Sequence, residues 1–408
     1  MGSNIELPSS RSPDLCLSQP TSKESAEIWT DTAASWKDSL TISLYVTESE
    51  YLTTVPLAEN GGMSTWVLVD KNLPPNKRQI FCSCESFRKR SLISDEKGNV
   101  EVGIIHGVAS VFCPVEFQGR AYGTRHMKEL ANALNGWQSN YGKSIGSTLY
   151  SDIGKKYYAK MGWIANPRNG HYVIPSVNME LPAQVYLVQE SELEELCLRD
   201  EKMIYGAMAT PSTARKRVVV LPNLEHMLWH IRKEDFATKY IFGKTPLAKG
   251  AIAGNLGKQV WAIWTHRYYQ HPDHSDEGNE LPERLDESPE DSGNPLYILR
   301  LVVEGDDTAN KPHDGQSPPS TKRYSEQAAA LRAVLQAAQA EAAQWRLDHV
   351  VLWEPSPLVH SLIKQGGLEA TWIEREEHAI VSTLWFREDG DAVGEAPILV
   401  NNEYYAWC

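Results

Sequence analysis

The run VEVGIIHGVASVFCPV, residues 100–115, constrains this chain most: it is long, rich in β-branched residues, and empties into the small-residue turn FQGRAYGTRHM, residues 117–127. β-Branched side chains suit a pleated, half-buried surface, so the run predicts a central strand. Gly103 and Gly107 would weaken a strand interior unless something must approach its backbone closely. Beyond the turn, periodicity predicts a helix over TRHMKELANALNGWQ, a buried strand at STLYSDI, a shorter helix over GKKYYAKMGW ending at Gly162, and a last strand at HYVIP. Before it stand two helical patterns, ESAEIWTDTAASWKD and LTISLYVTESEYLTTV, and two strands, TWVLVD and QIFCSCESF.

A second block after a linker beyond Pro175 repeats this order: strands at 260–269 and 296–305, a long helix EQAAALRAVLQAAQAEAAQW, the strand HVVLWEP, the helix SPLVHSLIKQGG, and the strands TWIERE and AIVSTLWF. With 408 residues, 41% of them hydrophobic, and 13 Trp and 17 Tyr, the chain is long enough for two packed cores. The expected division is a polar arm over 1–23, one domain over 24–178 and a second over 179–408. The fold class is α+β, with a mixed central sheet flanked by helices, followed by a degenerate second copy.

The net charge of −13 argues against a nucleic-acid partner, which needs many Lys and Arg contacts to phosphate. Residues 271–293 carry a local net of −8, leaving −5 for the rest, so the acidity describes a solvated loop. No secretory signal is expected at the N-terminus, and no stretch approaches the ~18 apolar residues of a spanning helix, so no membrane partner is expected. Scattered cysteines (16, 82, 84, 113, 197 and 408) fit a reducing, cytoplasmic compartment. Cys82 and Cys84 share a strand face but lack a second ligand pair, and the His271–His274 run sits in the acidic loop, so no metal is implied.

Chemistry concentrates at the turn. A helix start leaves N–H groups unpaired at the positive end of its dipole and so makes an anion site. Gly119, Ala121 and Gly123 keep the turn open, Thr124 is placed to cap, and Arg120 or Arg125 to add charge. An alanine at 121 is tolerated if its backbone angle stays negative. The dinucleotide pattern G-x-G-x-x-G is absent, and Gly243-Lys244-Thr245 lacks the leading glycine of a P-loop, position 238 being Thr.

Gln118, Ala121 and Gly123 between strand and helix resemble the Gln/Arg-x-x-Gly/Ala-x-Gly loop of the GCN5-related N-acetyltransferases (GNAT superfamily), and Tyr158, Gly162 and Trp163 resemble that superfamily's Tyr-x-x-x-Gly-aromatic run. The words VPLAENGGM, CESFRKR, HGVASVF, LYSDIGKKYYAKMGW and the ending YAWC further resemble the fungal lysine N-acetyltransferase family, cytosolic enzymes associated with lysine catabolism. This resemblance implies acetyl-CoA as cosubstrate, its pantetheine along Phe112 and Cys113 and its pyrophosphate on Gln118, Gly119, Arg120, Ala121, Tyr122, Gly123, Thr124 and Arg125, with Ser151 and Gly154 also in cofactor binding. It implies direct transfer to a small primary amine, lysine at N6 foremost. The alternatives are a protein or peptide lysine acetyltransferase, or a catalytically silent CoA-binding protein.

An ammonium with a pKa near ~10.4 needs a base before it can attack, and the departing thiolate needs a proton donor. Tyr158 is the candidate donor. For the base, His106 comes first, because His106, Val108, Ser110 and Phe112 alternate onto one strand face; Glu85, an acid in mid-strand, comes second. The basic run Arg88-Lys89-Arg90 reads as a solvated strand end, with a CoA phosphate contact as the less supported alternative. In the second block Leu362 stands where Tyr158 stands and the loop motif is missing, so that half is expected to wall the substrate cleft and not to hold CoA.

Overall fold

A computed structural model of the chain describes residues 7–212, 216–273, 293–309, 321–386 and 396–407. Most of the acidic loop 271–293 and of the loop 306–322 lies outside these residues, as do residues 1–6 and 408. In the first part of the chain come β1 (Leu15–Ser18), α1 (Ser22–Trp36), α2 (Ile42–Leu52), β2 (Met63–Asp70), β3 (Cys82–Asp95), β4 (Val100–Phe112), α3 (Tyr122–Leu134) and β5 (Lys143–Ser151). There follow β6 (Ile164–Ala165), β7 (Gly170–Pro175), β8 (Val185–Val188), α4 (Leu193–Met208), β9 (Lys216–Val220), α5 (Leu224–Phe242), β10 (Gly250–Ala253) and β11 (Val260–His266). The rest is β12 (Pro295–Val303), α6 (Ser325–Gln344), β13 (His349–Trp353), α7 (Pro357–Gln365), β14 (Thr371–Glu374), β15 (Ile380–Trp385) and β16 (Ile398–Val400).

Local signals account for many boundaries. Thr21 caps α1 in a reciprocal box with Glu24, and Asn223 and Ser356 cap α5 and α7 through their side chains. Where a helix was expected over GKKYYAKMGW there is only a 3-10 turn, Tyr158–Met161, closed by Gly162 at φ +104°. The arm is partly structured: β1 pairs with β2, and the carbonyls of Pro8, Ser10 and Leu15 accept hydrogen bonds from Tyr122 and Arg125. β3 runs through the basic triplet and on to Asp95. Lys89 is therefore a buried strand residue whose ammonium donates to the Ala406 carbonyl, and not part of a solvated end.

Two sheets form. The first runs β1-β2-β3-β4-β5-β15-β6, with β9 on the far part of β3 and β16 on β9; the second runs β14-β7-β13-β12-β11-β10-β8. Each carries one parallel central pair, β4 with β5 and β12 with β13. Next to each pair stands a strand from the other half of the chain. β15 lies antiparallel along Gly146–Ser151 of β5, and β7 lies antiparallel along the whole of β13. Hydrogen-bond ladders thus cross position 178 in both directions.

The core is shared as well. Ile105 and Ile145 of the first sheet pack in one cluster with Trp261, Ile263 and Leu299 of the second. On the second sheet's other face lies α6, whose many alanines let it approach closely and bury one flank. A fragment ending at 178 lacks β15 and β9 and bares the β5 edge. It is expected to show no cooperative thermal transition by circular dichroism, whereas a sharp melt like that of the full chain would contradict the exchange as an obligate feature.

Candidate active site

β4 and β5 pair only as far as Val108 and Leu149, while β4 continues to Phe112 and β5 to Ser151. The parallel strands therefore part, and the end of β4 loses its neighbour on that side. Across β3 the register slips: Glu85 faces Ala109 but Ser83 faces Phe112, so Ser110 and Val111 together oppose Cys84. This is a β-bulge, with Ser110 at φ +53°. The bulge turns Ser110 away from the face of His106 and Val108 and toward that of Glu85, whose Oε2 accepts from the Ser110 hydroxyl at 3.0 Å.

A cavity of about 320 Å³ opens at this point. Glu85, Ser110, Asp152 and Tyr158 line it from the first half; α5 supplies Trp229 and Lys233, and Arg267 and Trp407 reach it from farther along the chain. Burial raises the Glu85 carboxyl above its ordinary range, against the hydrogen bonds from Ser110 and Trp29 and the charge of Lys233. Burial likewise pushes the Tyr158 phenol well up, so it keeps its proton at neutral pH. Tyr158 packs edge-on against Tyr157 at 5.0 Å.

His106 is elsewhere. It is fully buried, its Nε2 lies 3.3 Å from Gln138 Oε1, and it does not line the cavity. Burial lowers its pKa to about 4, and nearby Arg88 adds to the effect. The alternation argument placed His106 with Ser110, and the extra residue at the bulge breaks that alternation.

At the turn, Gln118 Nε2 donates to the Cys113 carbonyl at 3.0 Å, which closes the loop on itself. Gly119 has φ +72° and open space where a Cβ would stand. Ala121 has φ +64°, not the negative angle expected of it. A methyl-bearing residue there carries a strain of ~1 kcal/mol that glycine avoids. Ala121, and not Thr124, is the residue preceding the helix, and no side chain caps it. Thr124 instead bonds the Tyr157 hydroxyl, which comes within 2.9 Å of where a Cβ on Gly123 would lie, so a larger residue there would have to displace that hydroxyl. The Gly123 N–H turns to the Cys113 thiol.

Several expected cofactor contacts have other work. The Tyr122 ring is core, stacked on Phe81 at 4.7 Å, and Arg125 is held by Glu129 and the arm's carbonyls, so neither side chain is directed to a phosphate. Arg120 is exposed at the turn. Phe112 meets Trp36 edge-on, and the Cys113 thiol donates to the Phe81 carbonyl. Ser151 donates to the Gly154 carbonyl at 2.8 Å, and the Gly154 N–H to Glu377 of the second half; this turn fastens the halves together. The sequence reading assigned no site role to Lys233, Arg267 or Trp407, although Trp407 lies in the quoted ending YAWC.

Because the folded-state pKa of Glu85 is raised, its stabilising contribution is complete below the unfolded carboxylate value near ~4.3 and is lost as pH rises through the folded value. Glu85→Gln is expected to raise the melting temperature at neutral pH, with the gain vanishing in acid. A destabilised variant at neutral pH would contradict this.

The family model of the LYC1 GNAT-like C-terminal domain matches residues 171–408. Its first residue falls within β7, the strand that the second sheet takes from the first half. Comparison with curated proteins returns no match. Among solved structures, a GCN5-related N-acetyltransferase from Anabaena variabilis is 11% identical with a TM-score of 0.48, covering 90% of this chain and 72% of its own. Eis1 from Mycobacterium abscessus is 11% identical, TM-score 0.42, with 91% and 73% covered. Saccharomyces cerevisiae N-myristoyltransferase is 6% identical, TM-score 0.48, with 94% and 82% covered.

Proposed function

The chain belongs to the family of the LYC1 GNAT-like C-terminal domain, and from that premise we propose that it is an N-acetyltransferase that moves an acetyl group from acetyl-CoA directly to the primary amine of a small molecule, lysine at N6 foremost. The observation that carries this reading is the parting of β4 from β5 beside an open, glycine-relieved helix start, with Glu85 and Tyr158 facing one cavity. The unpaired edge after Val108 suits a pantetheine arm, and the first N–H groups of α3 suit a diphosphate. Arg120 is the side chain placed to add charge there.

Acetyl-CoA supplies a thioester whose acyl carbon the amine attacks. Glu85, held high by burial, takes the proton from the acceptor's ammonium, directly or through water. Tyr158, protonated, gives its proton to the departing sulfur as the carbon–sulfur bond breaks, and regains one from solvent. Ser110 orients the carboxylate through its hydrogen bond.

Both signs of charge line the cavity, which favours a zwitterionic acceptor. Arg267 bonds Asp38 at 2.6 Å, but its Nε has no acceptor among the described residues, and the guanidinium lies over the Tyr269 and Trp407 rings. It is placed to receive a carboxylate. Walls drawn from both halves favour a small amine over a protein tail.

With acetyl-CoA, lysine is expected to yield an acetylated product by mass, and Tyr158→Phe to lower kcat roughly a hundredfold or more. Glu85→Gln removes the acid limb of the rate profile, whereas His106→Asn keeps it. Failure of lysine, ornithine, polyamines and peptides alike to release thiol would end the reading.

A further inference from the structure

The second half carries a cleft at the place that corresponds to the first. β12 and β13 pair only to Ile298 and Leu352, and β12 continues to Val303. The cavity beside this parting measures about 490 Å³ and shares no lining residue with the one that holds Glu85 and Tyr158. No role in the proposed acetyl transfer falls to it.

The backbone donors on the open edge of β12 and at the start of α7 are already occupied. The Leu301 N–H on the open edge of β12 donates to Glu403 at 2.8 Å. At the start of α7, Pro357 has no N–H, Leu358 donates to Thr308 at 3.1 Å, and Val359 donates to Ser356 at 3.2 Å. Arg300 is buried and clamped between Asp200, at 2.6 and 2.8 Å, and Glu403. A CoA diphosphate therefore finds no open backbone donors at these described positions.

The charge balance points the other way. Four carboxylates, Asp200, Asp306, Glu354 and Glu403, line the cavity against two guanidiniums, Arg300 in its clamp and Arg168 at the exposed rim. Asp306 is taken up by Thr308 and Ser356, while Glu354 has one oxygen on the Gly170 N–H and feels the charges of Arg375 and Arg168. Asn402 is 6% exposed and lines the same cavity; its Oδ1 accepts from Tyr150, but its Nδ2 has no acceptor among the described residues. A buried amide donor without a partner costs free energy that a ligand oxygen would recover. Met203, Ala207, Val359 and Ile398 supply an apolar wall.

We propose that this second cavity binds a small organic ammonium ion that also carries an acceptor oxygen, the cation on Glu354, the oxygen on Asn402 and the aliphatic body along α4. Such a ligand would touch residues 397–403, the segment whose continuation places Trp407 in the first cavity.

The test is calorimetric titration of the full chain with aminopentanol, with no acyl donor present, so its outcome does not depend on the acetyltransferase reading. Binding is expected to persist in Glu85→Gln and to weaken roughly tenfold or more in Glu354→Gln, a change of about 1.4 kcal/mol. Because Glu354→Gln also touches the Gly170 bond, Ala207→Phe, which fills the cavity from the α4 side, is the second variant and should abolish the same binding. Pentanol and pentanoate are expected to bind at least tenfold more weakly. Absence of aminopentanol binding, binding indifferent to both variants, or pentanoate binding as tightly would each overturn the proposal.

Discussion

Everything at the candidate site depends on the exchange of β15 and β7. In a parallel pair such as β4 and β5, each strand has a second edge that must be satisfied, and β15 from the far end of the chain takes that edge on β5. With β5 held from that side, the pair can part beyond Val108 and Leu149 without leaving β5 as an open edge. The same exchange brings the second half against the first, so that Arg267 and Trp407 reach the cavity lined by Glu85 and Tyr158. The candidate site and the fold therefore share one set of hydrogen bonds.

Two clefts built on one plan have diverged by what fills them. In the first, a bulge at Ser110 and left-handed angles at Gly119 and Ala121 leave backbone groups open to a ligand. In the second, Arg300 with its two carboxylates fills the floor, and Leu362 is a buried core residue in the place of Tyr158. A buried ion cluster of this kind is costly to break and gives little that an acyl donor could use. Polar satisfaction, more than shape, separates the two clefts.

Much of this was readable in the residues. The order of elements around 100–175 and 296–385 follows from apolar periodicity, and the turn announces itself by its small residues. What escaped were features set by long-range contact. Tyr158–Met161 is only a single 3-10 turn, because tertiary packing and not propensity decides so short a segment. α4 and α5, between 193 and 242, carry no motif, yet α5 delivers Lys233. His106 looked like the base because strict alternation was assumed; one extra residue at Ser110 re-aims the strand, and no local sequence signal marks it. Strand exchange has no local signature at all: AIVSTLWF reads as a strand wherever it pairs.

The central claim is that the parted end of β4 and the turn that follows it, and not the corresponding place on β12, receive the acyl-CoA. Amide hydrogen exchange measured with and without CoA tests this most directly. The account predicts slowed exchange over residues 109–124 and unchanged exchange over 299–303. Unchanged exchange at the turn, or protection confined to the second half, would contradict it.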